Sequence, residues 1–149
     1  TAQNIGAGKI DRIKKGLKAG ILFNYGIIVP ILIAFMVFGK QMIGLFLTSE
    51  SAEAINCGVL FLKIISPFYF AVAAKILVDG LLRGSGAMFA FTASTFVDLI
   101  LRVILAYIFA GMLESERGIW LSWPFGWTIA ACITLVFYFK GGWKKKRVY

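Results

Sequence analysis

The sequence predicts an all-α membrane protein of four transmembrane helices, and three observations carry that reading. Apolar residues make up 60% of the 149 positions and the mean hydropathy is +0.85, whereas a soluble domain is roughly half apolar even with Gly counted. Charged residues are 15% of the chain and gather in short stretches, which leaves long uncharged runs between them. Two of those runs, Ala19 to Gly39 and Ile119 to Phe139, are each 21 residues long, and about 20 helical residues cross a hydrocarbon core.

In chain order the first span is 19–39. The second, 54–76, is interrupted by Lys63 and by Pro67; the third, 87–112, carries Asp98 and Arg102; the fourth is 119–139. No Pro- or Ser-rich linker, low-complexity tract or repeat of 20 to 50 residues divides the chain, so residues 1–149 read as a single membrane unit. The first apolar run is full length and no small-residue cleavage site follows it, so it is not a signal peptide. The chain begins at Thr1 rather than Met, and is expected to be a fragment.

Charge sets the expected orientation. Lys9, Arg12, Lys14, Lys15 and Lys18 precede the first span against a single Asp11, and Lys140, Lys144, Lys145, Lys146 and Arg147 follow the last. The connection with Lys75, Asp79 and Arg83 is net positive, whereas those with Lys40, Glu50 and Glu53, and with Glu114, Glu116 and Arg117, are net negative. Lys and Arg accumulate in cytoplasmic loops, so both termini and the second connection are placed inside. Trp120, Trp123 and Trp143 flank the last span as an aromatic belt would.

Charge inside the spans marks the candidate sites. Asp98 and Arg102 are four residues apart, share a helix face and can form a charge-assisted pair; intramembrane ionisable residues are functional candidates, and such a pair is also a way to brace a packed bundle. Pro67 removes a backbone donor and releases the carbonyl of Lys63, so a kinked helix with a cation one turn away can line a hydrated cavity. Lys63 can equally snorkel toward the surface.

Other chemistries find little support. The chain has no His, no Ser-His-Asp set, and no Walker closure around Gly80, Gly84 and Gly86 or after Gly8, so it is read as a non-enzyme without cofactor. Cys57 and Cys132 lack metal-ligand spacing and are expected to be small packing residues. The net charge of +9 lies beside membrane spans, which points to lipid rather than nucleic acid.

Three segments carry a family resemblance. Gln3, Gly6, Ala7 and Arg12, in AQNIGAGKIDRIKKG, match a Gln-x-x-Gly-Ala-x-x-x-x-Arg loop; KILVDGLLRGSGAM contributes Asp79, Arg83, Gly84 and Gly86, followed by DLILRV; GIWLSWPFGW opens the last helix. In order and spacing these resemble the multidrug and toxin extrusion (MATE) transporters. The resemblance implies the last four of twelve helices, the carboxy-terminal part of the second lobe of a two-lobe protein in the plasma membrane. Members export cationic or amphiphilic compounds in exchange for Na⁺ or H⁺ by alternating access, and this chain would work with the remaining helices of the whole transporter. Some members carry a cation-binding Asp in the second of these spans; here the charge before Lys75 is the basic Lys63, so no metal ligand is assigned. The alternatives are a lipid-linked oligosaccharide flippase of the same superfamily, which Lys63, Arg83 and Arg102 would suit, and a non-transporting membrane scaffold.

Overall fold

A computed structural model describes residues 1–47 and 52–144; Glu50 and the basic residues Lys145, Lys146 and Arg147 lie outside the described residues. Among the described residues the regular structure is helical: α1 (Ala2–Gly6), α2 (Ile10–Gly44), α3 (Ala52–Ile65), α4 (Tyr69–Gly84), α5 (Met88–Leu113) and α6 (Glu116–Lys140), with 3₁₀ turns at Ser66–Phe68 and Gly142–Lys144. Among the described residues four helical stretches are long and apolar enough to cross a membrane: α2, the α3–α4 pair as one stretch Ala52–Gly84, α5 and α6. The protein is therefore an all-helical membrane protein.

The helices outrun the uncharged windows. α2 has 35 residues, about 52 Å at 1.5 Å per residue, because Ile10 to Lys18 continue the helix as an amphipathic stretch. Hydropathy marks where lipid begins, not where backbone hydrogen bonding stops.

The short connections have identifiable causes. Gly86 has φ +74°, and the Ala87 amide bonds to the Leu82 carbonyl at 2.9 Å while the Gly86 amide bonds to Arg83 at 3.0 Å. This is the Schellman ending, which needs a left-handed residue that Gly adopts without a Cβ penalty. α1 ends the same way at Gly8. Between α5 and α6 the turn takes only Glu114, at φ +46°, and Ser115, whose Oγ accepts the Arg117 amide at 3.4 Å as an N-cap. So brief a turn folds α6 back along α5. The two helices then approach closely: a Cβ added to Gly118 would stand 2.2 Å from the Phe109 carbonyl oxygen.

The principal apolar core is Ile5, Ile13, Val78, Leu81, Leu82, Ala87, Ala90 and Trp143. It gathers α1, the start of α2, the α4–α5 turn and the segment after α6, so both ends of the described chain meet at one basic end of the bundle. Trp143 departs from the expected belt position. It is 1% exposed, stacks on Tyr138 with centroids 5.4 Å apart and donates its Nε1 to the Tyr138 carbonyl at 2.8 Å. The Gly141 break after α6 turns the indole inward. Cys57 and Cys132 also depart from expectation: both are free and exposed rather than packed.

Candidate functional site

Among the described residues two charge clusters lie within the bundle, and both are built on the four-residue spacing of a helix. On α5, Arg102 donates to Asp98 Oδ2 at 2.7 Å. The guanidinium lies 5.0 Å from the Trp123 ring centroid and 6.0 Å from that of Trp127 on α6, so aromatic faces support the charge that the carboxylate neutralises. Gly126 makes room for this: a Cβ there would stand 3.0 Å from Asp98 Oδ1. That oxygen and Arg102 Nε are buried without a hydrogen-bond partner. One acceptor atom and one donor atom of the pair are thus buried without a partner.

The second cluster was not legible in the sequence. Lys75, Asp79 and Arg83, read there as a connection between spans, are part of α4; the connection itself shrinks to Ser85, Gly86 and Ala87. Lys75 Nζ bonds Asp79 Oδ2 at 2.5 Å, with side chains only 11% and 7% exposed. Asp79 Oδ1 accepts from Thr134 Oγ1 of α6 at 3.0 Å. Both carboxylate oxygens are thus engaged, which is what burial of a charge requires. Thr134 was missed because a lone Thr in an apolar run carries no local signal; only the α4–α6 approach gives it a partner.

Lys63 and Pro67 do not join either cluster. Both are exposed, and Pro67 sits in the 3₁₀ turn that separates α3 from α4, so the single kinked span resolves into two helices and a break. Ser66 beside it is fully buried, and its Oγ has no hydrogen-bond partner. Just past the break, Tyr25 of α2 donates to the Phe70 carbonyl at 3.1 Å with its ring edge-on to Phe70. Tyr25 thus ties α2 to the first turn of α4, just past the break.

The motif residues of the two loops meet at the basic end. Gly84 faces Thr1, where an added Cβ would come within 2.8 Å of the Thr1 Cβ. A cavity of about 380 Å³ between α2 and α4 is lined by Thr1, Asn4, Arg12, Leu77 and Gly80, among others. Gln3, Gly6 and Ala7 remain exposed on α1 and its end, and Arg83 lies 4.9 Å from the Phe91 ring centroid. At the opposite end a wider cleft of about 760 Å³ is lined by Glu53, Asn56, Cys57, Glu116, Arg117 and Trp120. The two faces thus differ in charge.

Comparison with known proteins decides the family. The family model described as MatE matches residues 1–108, from α1 through most of α5. The chain belongs to the MatE family. Among curated relatives, it is 29% identical to "Probable multidrug resistance protein YoeA" of Bacillus subtilis (strain 168) over 99% of its own length and 32% of that protein's. It is 27% identical to "Probable multidrug resistance protein YpnP" of the same organism, over 99% of this chain and 33% of the relative. The chain thus spans about a third of the length of the curated relatives it matches. No solved structure matches it.

Proposed function

We propose that this chain supplies the last four helices of a cation-coupled efflux transporter. In that transporter two lobes alternate access to a central cavity and export cationic or amphiphilic compounds in exchange for Na⁺ or H⁺. The observation that carries this reading is the family match across residues 1–108, supported by relatives whose names speak of multidrug resistance. A bundle with so many exposed apolar side chains along α2 and α5 suits a part that packs on further helices and on lipid. Both termini lie on the cytoplasmic side of the cell membrane, because the basic flanks of α2 and α6 stand at one end and the acidic connections at the other.

The charge clusters favour drug export over lipid-linked oligosaccharide flipping. A flippase cavity needs free cations for phosphate, yet Arg102 and Lys75, the cations of the two clusters, are each spent on a carboxylate four residues away. Of the cations that would suit a flippase, this leaves Lys63 and Arg83 without a carboxylate partner among the described residues. Asp98 with Arg102 stands nearest a transport role, since an unpartnered carboxylate oxygen remains against Gly126. Lys63 and Pro67 form the other candidate region, where the α3–α4 break can flex. The coupling ion is held by an acidic group elsewhere in the transporter.

Cells expressing the complete transporter test this reading through ethidium efflux. Faster energy-dependent clearance than in cells without it is expected. Unchanged clearance together with faster flipping of a lipid-linked oligosaccharide would replace it with the flippase alternative, and neither activity would favour a scaffold.

A further inference from the structure

α2 begins nine residues before the uncharged run, and that extension is amphipathic. Ile10, Ile13 and Leu17 lie on or against the core at the basic end, while Lys14, Lys15 and Lys18 are exposed. At 3.6 residues per turn the three lysines fall within roughly 100° of arc, on the flank beside the apolar face. The same arc continues up the helix as Leu22, Val29, Ile33 and Met36, all exposed. Lys18 and Lys40 are about 33 Å apart along the axis, close to the roughly 30 Å thickness of a hydrocarbon core. Lys18 therefore stands at the membrane boundary, with Lys14 and Lys15 one turn further into the headgroup layer.

Opposing charge is scarce there. Asp11 is the acidic residue of the extension; its side chain is 91% exposed and 3.9 Å from Lys14 Nζ, a surface contact of little strength. Across the same core, buried Trp143 holds the chain after α6 against the bundle, with Lys144 Nζ 5.8 Å from its ring centroid. Lys140 and Lys144 are also exposed.

We propose that Lys14, Lys15 and Lys18 form a docking surface for the phosphate of anionic phospholipid, whose acyl chains lie along Leu22, Val29 and Ile33. Four or more basic residues immediately beside a membrane helix are the pattern that holds anionic headgroups, and Lys9 with Lys140 and Lys144 extends the field. An uncharged headgroup gains nothing from this surface, and free phosphate lacks the chains that the apolar stripe would hold. The leaflet involved follows from the orientation proposed above. The test in detergent needs neither that orientation nor transport, so failure of one claim leaves the other standing.

The experiment uses the complete transporter in uncharged detergent, titrated with short-chain phosphatidylglycerol or phosphatidylcholine and read by thermal shift. Phosphatidylglycerol should bind more tightly, and added salt should weaken the preference by screening. Lys14→Gln, Lys15→Gln and Lys18→Gln together should reduce it roughly tenfold or more, whereas Lys40→Gln at the opposite end should not. Asp11→Asn, which removes the opposing charge, should strengthen it. Equal affinity for the two lipids, retention of the preference in the triple variant, or displacement by inorganic phosphate would overturn the proposal and leave the lysines as topology signals alone. If the triple variant fails to fold, an unchanged preference on Asp11→Asn and on raising salt overturns it equally.

Discussion

Thr134 Oγ1 donates to Asp79 Oδ1 at 3.0 Å, joining α6 to α4 through a carboxylate whose other oxygen is held by Lys75. The three side chains are buried and make a closed set, in which the ammonium and hydroxyl supply donors and the carboxylate takes both. Removing one member has unequal consequences. Asp79→Ala strands a buried ammonium and should cost about 3 kcal/mol or more. Thr134→Val loses one interhelical hydrogen bond and should cost about 1 kcal/mol. Lys75→Met combined with Asp79→Leu should come closer to wild type than Asp79→Ala does. Thermal unfolding of the complete transporter in detergent checks the order.

Asp98 and Arg102 invite a thermodynamic cycle. Asp98→Ala leaves the guanidinium against Trp123 and Trp127 without a counter-charge, and Arg102→Ala leaves a carboxylate facing Gly126. Each single change should destabilise more than the double change, with a coupling of roughly 1 to 3 kcal/mol. A double variant that recovers stability and efflux makes the pair a brace. Recovery of stability without efflux assigns it to transport.

The α5–α6 hairpin depends on backbone approach. Gly118→Ala forces a Cβ onto the Phe109 carbonyl, where neither backbone can yield locally, and should cost about 1 to 3 kcal/mol. Gly111→Ala is the control on the same hairpin, since nothing lies within 4 Å of a Cβ there. Similar losses at both sites in thermal unfolding would contradict the packing.

Long uncharged runs, Lys and Arg bias and the Asp98–Arg102 spacing were all legible in the sequence, because hydropathy and helical periodicity are local properties. What was not legible depended on distant partners. Asp79 read as a turn residue until α6 brought Thr134 to it, and Trp143 read as an interface anchor until the break at Gly141 turned it into the core. Cys57 and Cys132 read as packing residues because small apolar side chains in a span give no sign of which face they take. A kink at Pro67 is legible from the proline itself, but its resolution into a 3₁₀ turn, with Tyr25 tied to Phe70 just past it, needed the fold.

Orientation can be read from Cys57, which is exposed and lines the cleft at the acidic end. With Cys132 and any cysteines elsewhere in the transporter replaced by Ala, a membrane-impermeant maleimide added to intact cells should label Cys57. A cysteine introduced at Lys9 should label only after permeabilisation. The reverse pattern would place the termini outside.

Coupled export is tested most directly in proteoliposomes containing the complete transporter, with ethidium movement followed while a Na⁺ or proton gradient is imposed and then collapsed. The account predicts ethidium transport against its own gradient that stops when the ion gradient is collapsed. Ethidium distribution indifferent to both ion gradients, from protein that remains folded, would contradict it.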